Sequence, residues 1–113
     1  MARTVILSSA RTPFGKMGGA LSTVNAAELG GVAIAGALER AGVAPDQVEQ
    51  VSFGQVIQAG QGQIPSRQAQ INGGVPKAAN ANDPGCTQSV VKFVNVVATP
   101  DQLVCNDLVM PLL

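Results

Sequence analysis

The chain holds two thiols, Cys86 and Cys105, and no histidine. A thiolate is a strong nucleophile, but only where an electropositive surrounding favours the ionised form. Without histidine, neither a Ser-His-Asp triad nor a histidine-based metal site can be completed within these residues, so no metal site is expected. Cys86 follows Asn82-Asp83-Pro84-Gly85 and precedes Thr87-Gln88-Ser89. Gly85 leaves room for a substrate to approach closely. Two readings of Cys86 stand side by side: a nucleophile, or a small apolar residue in a loop or cap. Cys105 lies among Leu103, Val104 and Leu108, where a free cysteine packs as a small hydrophobe. Two cysteines make no disulfide framework, which points to a reduced, cytoplasmic setting.

Two glycine loops invite a nucleotide reading and decline it. Gly60-Gln61-Gly62 would need a further glycine where Pro65 stands, and Gly15-Lys16 is not followed by Ser or Thr. Both read as tight turns between elements. The 113 residues suit one domain or part of one, with 46% apolar and 12% charged residues, too hydrophobic for disorder. Seven basic and seven acidic residues cancel, and only three aromatics occur. Neither a phosphate-binding stripe nor a base-stacking platform is available, so no nucleic-acid partner is expected. No stretch is apolar for the ~18 residues a membrane helix needs, and the first residues are too short an apolar run for a signal peptide.

The elements that must position these residues follow from period and caps. Residues 4–9 read as a short buried strand. A glycine-punctuated loop from Arg11 to Gly19 leads to a helix over 25–41, with Asn25 and Glu28 spaced as a capping box and Gly42 as the stop. That helix is built almost entirely of small residues. Each interior glycine costs about 1 kcal/mol against alanine, which points to close packing against other backbone. A second strand is expected over 48–57. A short helix over 65–72 should open with Pro65 in its first turn and end at Gly73-Gly74. Strand, helix, strand, helix argues for α/β layering. Beyond Val75-Pro76 the pattern changes: a polar stretch, a turn at Asp83-Pro84-Gly85, then β-branched residues over 90–97 whose propensity is for strand. Thr99-Pro100-Asp101 reads as a turn or a helix start.

Residues 1–77 resemble the start of a thiolase. Ser9-Ala10-Arg11-Thr12-Pro13-Phe14-Gly15-Lys16, Ala26-Ala27-Glu28-Leu29-Gly30 and Ala37-Leu38-Glu39-Arg40-Ala41-Gly42 carry the likeness. Most specific is Gln58-Ala59-Gly60-Gln61-Gly62-Gln63-Ile64-Pro65-Ser66-Arg67-Gln68-Ala69, which is similar to the family's A-G-x-G-Q-x-P-x-R-Q-A segment. The resemblance implies a partial N-terminal α/β domain of a five-layered fold, oligomeric assembly, and acyl transfer between acetyl-CoA and another acyl-CoA. Coenzyme A thioesters would be substrates, with no resident cofactor. It also places Arg67 near a dimer face.

The family's first step is attack by a cysteine at a helix N-terminus, in an N-x-x-C-x-S-G pattern. Cys86 is the residue that could inherit that role. Its surroundings depart from the pattern by one residue on each side, and Val90 stands where a glycine is expected. If 87–97 were helical, as the resemblance implies, the helix end would lower the Cys86 pKa. If the β-branched residues form a strand, the thiol stays near the ~8.5 of free cysteine. Residues 78–113 read as a divergent tail with an aberrant or truncated end. The second cysteine motif and the histidine motif of the family have no counterpart, so the expectation is an incomplete, inactive thiolase-type fragment. The alternative is a non-catalytic interaction or decay product with a thiolase-like N-terminus.

Overall fold

The computed structural model describes residues 3–54 and 60–82, together with the strand backbones at 91–98 and 103–110. In chain order the elements are β1 (Val5–Ala10), α1 (Ala26–Ala41), β2 (Gln50–Ser52), α2 (Pro65–Asn72), β3 (Asn80–Asn82), β4 (Val91–Ala98) and β5 (Leu103–Met110), with a 3₁₀ turn at Pro45–Gln47 before β2.

The five strands form one mixed sheet in the order β1-β4-β5-β2-β3. β4 is antiparallel to both β1 and β5, while β5, β2 and β3 are mutually parallel. It follows that β1, β5, β2 and β3 all point the same way and only β4 is reversed. The later hairpin therefore inserts between the two earlier strands. β1 shifts register between Ile6 and Ser8, a bulge that bends the edge strand. Next to it, the Ser8 hydroxyl donates to the Ala37 carbonyl at 2.6 Å and Arg40 Nη1 to the Ser9 carbonyl at 2.9 Å. These bonds tie β1 to α1.

Helix α1 starts where the capping box predicts. Asn25 Oδ1 accepts from the Ala27 amide at 3.0 Å, and the Asn25 amide donates to Glu28 Oε2 at 3.3 Å. It ends on Gly42, whose φ of 65° is the left-handed conformation that glycine adopts without strain. The run of small residues does bring backbone close to backbone. A methyl on Gly31 would lie 2.5 Å from Asn72 Cβ and 2.9 Å from the Asn72 carbonyl carbon. A methyl on Gly73 would lie 2.8 Å from Ile34. The two helices cross at this seam and cover one face of the sheet. Between them and the strands lies a core of Ala33, Ile34, Ala37, Leu38, Val51 and Phe53.

Four expectations change. The first strand, expected to be buried, is the edge strand β1 and leaves Val5, Ile6 and Leu7 exposed, because only β4 pairs with it. The second strand covers Gln50–Ser52 rather than 48–57: Pro45 sets a 3₁₀ turn, Val48 follows as its cap, and residues 55–57 lie outside the described residues. A helix through 87–97 is corrected for 91–97, which lie in β4; the β-branched side chains prevail there, and 87–90 lie outside the described residues. Two strands, β3 and β5, were not anticipated. β3 is Asn-Ala-Asn, a composition depleted in strands, and pairs by backbone alone onto β2. The turns expected at 83–85 and 99–101 lie outside the described residues.

Candidate active-site region

Because β2 and β3 are parallel, the chain leaves both at the same end of the sheet, the carboxyl end, where open α/β sheets carry their sites. From β2 it leaves through Phe53 and Gly54. From β3 it leaves after Asn82, and Cys86 follows four residues later in the sequence. Cys86 itself lies outside the described residues.

What positions this exit is legible. Helix α2 begins at Ile64, held at φ 45° and ψ 70°, a left-handed conformation rare for a β-branched residue. Gly60 and Gly62 before it have φ of 76° and 79°. Gln68 holds the loop in that shape: its Nε2 donates to the Gln61 carbonyl at 3.2 Å and the Gln63 carbonyl at 2.9 Å. On the same helix, Arg67 Nη1 donates to Gln70 Oε1 at 3.0 Å and to the Lys77 and Ala79 carbonyls, each at 2.8 Å. Gln70 is fully buried, and its Nε2 donates to the carbonyls of Pro76 and of Ala79. The planar guanidinium and the amide thus brace the turn 76–79 from inside. Beyond that turn, the Asn80 amide donates to the Glu49 carbonyl at 2.8 Å and the Phe53 amide to the Asn82 carbonyl at 3.0 Å. The register of β3, and so the point from which the Cys86 segment departs, is set by the α2 side chains.

The guanidinium of Arg67, expected near a dimer face, has these partners within its own chain. Gln70 was not anticipated; its signal was a glutamine one turn after an arginine in a short, otherwise unremarkable helix. Cys105 sits in the central strand β5, in register between Val96 and Val51, the latter fully buried. Among the described residues, no three His, Cys, Asp or Glu side chains gather as a metal cluster, and no helix is long and apolar enough to cross a membrane.

A mixed five-stranded sheet with two helices packed together against it defines the chain as an α/β domain. Within that class the chain matches the thiolase N-terminal domain over residues 4–89 and belongs to the thiolase family. It is 57% identical over 76 residues to an acetyl-CoA acetyltransferase of Cupriavidus necator, covering 67% of this chain and 19% of that protein. A mitochondrial acetyl-CoA acetyltransferase of Xenopus tropicalis is 54% identical over 71 residues, 63% of this chain and 17% of its own. A probable acetyl-CoA acetyltransferase of Mycobacterium tuberculosis is 42% identical over 106 residues, 92% of this chain and 26% of its own. The family likeness thus continues beyond Lys77, and the chain spans about a fifth of the length of most of the curated relatives it matches, from 17% to 26% of those named here.

Proposed function

We propose that the chain carries the nucleophile-bearing part of a thiolase-type acetyl transfer between acetyl-CoA and an acyl-CoA, with Cys86 as the nucleophile. The Cys86 thiolate would attack the thioester carbonyl, form a C–S bond and expel coenzyme A as its thiolate, leaving an acetyl thioester on the enzyme. Capture of this kind divides one difficult step into two easier ones. The observation that supports the reading is the Arg67–Gln70 brace, which fixes the strand just before Cys86 within the family-matched stretch. Coenzyme A thioesters are substrates in this reading, and no resident cofactor is invoked.

The same reading has the chain inactive alone, an incomplete portion of the catalytic unit acting as a homo-oligomer in the cytoplasm. With no histidine, these 113 residues offer no imidazole base for the carbon–carbon step. Loss of one oxyanion donor alone costs about 10²–10³ in rate. The purified chain should therefore show no thiolysis of acetoacetyl-CoA above background, while iodoacetamide at pH 7 labels Cys86 faster than Cys105. Peptide mass spectrometry reads the labelling. Turnover abolished by Cys86→Ala would overturn the inactivity, and faster labelling of Cys105 in folded protein would overturn the assignment of the nucleophile.

A further inference from the structure

A cavity of about 370 Å³ opens at the carboxyl end of the parallel strands, between the loop that follows β1, the first turns of α1, and Phe53 just after β2. Its volume lies at the small end of the range for ligand pockets, too small for a nucleotide-sized guest to be enclosed. Leu29, Ala33 and Phe53 make an apolar floor. Two cations, Arg11 and Lys16, stand at its lining, and among the described residues no aspartate or glutamate does. The guanidinium of Arg11 lies 5.0 Å over the ring of Phe14, a cation–π contact at the edge of the cavity. Neither cation has an ion pair among the described residues. Ala26, the first residue of α1, also lines the space, which brings in the positive end of that helix. The first-turn carboxylate, Glu28, caps that end by accepting from the Asn25 amide and does not line the cavity, so the charge facing the space comes from Arg11 and Lys16.

An apolar floor under a rim whose charged side chains, among the described residues, are both cations fits a guest with an apolar body and one anionic end. We propose that this cavity binds a short-chain to medium-chain aliphatic monocarboxylate, its chain over Leu29, Ala33 and Phe53 and its carboxylate between Arg11 and Lys16. The proposal does not rest on the acyl-transfer reading. A carboxylate suits the paired N–H edge of arginine, which it can meet with two parallel bonds.

The test uses the full chain and octanoate as the probe. Equilibrium dialysis gives the affinity, and a diazirine-bearing octanoate analogue followed by peptide mapping gives the location. Saturable binding is expected, with crosslinks confined to residues 11–33 and to the peptide holding Phe53. Acetate, the head without the chain, should not compete. Octyltrimethylammonium, the chain with the opposite charge, should compete at least about tenfold more weakly, the equivalent of one charge-assisted hydrogen bond. Arg11→Gln with Lys16→Gln should weaken octanoate by about tenfold or more; both residues are exposed, so the fold is retained. Ala33→Leu should block the chain by filling the floor. Cys86→Ala should leave binding unchanged, which separates failure here from failure of the thiol assignment. Equal competition by the cation, crosslinks spread over the exposed Val5, Ile6 and Leu7, or an unchanged affinity in the double variant would each overturn the proposal.

Discussion

The α1–α2 seam and the β4–β5 hairpin hold this domain together by opposite means. At the seam, glycines let α1 and α2 approach closely: a Cβ on Gly31 would meet Asn72 Cβ, the Asn72 carbonyl carbon and the Gly73 amide nitrogen at 2.5, 2.9 and 3.0 Å. In the hairpin, β-branched residues drive extended backbone, and the two strands pair along their whole length from Val91–Met110 to Ala98–Leu103. The seam belongs to the stretch with the most specific family motifs. The hairpin lies beyond those motifs, yet it supplies both strands that join β1 to β2. Among the described elements, those before it leave β1 attached to the rest through α1 rather than through a ladder.

Removing the hairpin is therefore the largest perturbation available. A chain ending at residue 90 should lose cooperative thermal unfolding altogether, read by circular dichroism. An unchanged melting transition would show that the helices, and not the hairpin, hold the two parts of the sheet in place.

Next in size is an attack on the seam. Gly31→Ala gains about 1 kcal/mol of helix propensity and places a methyl 2.5 Å from Asn72 Cβ. Overpacking at 2.5 Å falls at the upper end of the usual range, about 3 kcal/mol, so a net loss of about 2 kcal/mol in urea unfolding is expected. A neutral result would mean that α1 and α2 can slide apart cheaply.

Slightly smaller is the loss of the brace. Arg67→Ala removes a charged donor from the Lys77 and Ala79 carbonyls and from the fully buried Gln70. Hydrogen bonds to charged groups contribute about 1.5–3 kcal/mol, and a loss near the lower end, about 1.5–2 kcal/mol, is expected because part of this site reaches solvent. In a double-mutant cycle with Gln70→Ala the two losses should fall short of adding, since both side chains hold the Ala79 carbonyl. Strict additivity would deny that they act as one unit.

Legibility in the sequence follows the same division. Caps and glycine stops are local signals, so Asn25, Glu28, Gly42, Pro65 and Gly73 by themselves mark the ends of α1 and α2. Strand β4 is legible from its β-branched run. Pairing is not legible: nothing in Asn80-Ala81-Asn82 announces a strand, because its hydrogen bonds are set by β2 and by a turn that Arg67 and Gln70 hold from another element. The insertion of a later hairpin between two earlier strands is likewise a long-range choice without a local signal. At the candidate site, the arginine stands out in its motif, while Gln70 and the cavity behind Phe53 depend on which loops the sheet brings to one end.

The smallest expected effect has the opposite sign and sharpens the contrast within a single helix. Gly36 lies five residues after Gly31 in α1, on a position turned toward β1. A methyl there would meet only Ala10 Cβ, at 3.7 Å, an ordinary van der Waals distance. Nothing at this position requires glycine: no backbone outside the helix lies within reach of the added carbon, and Gly36 is not among the glycines with positive φ. Alanine lowers the backbone entropy of the unfolded chain and adds a little apolar contact with β1, so Gly36→Ala should stabilise the domain by about 0.5–1 kcal/mol. Urea unfolding of the two alanine variants side by side isolates the cause, since the substitution, the helix and the propensity gain are the same and only the facing atoms differ. If Gly36→Ala destabilises as Gly31→Ala does, the cost lies in the helix itself, and close approach to α2 is not what makes Gly31 a glycine.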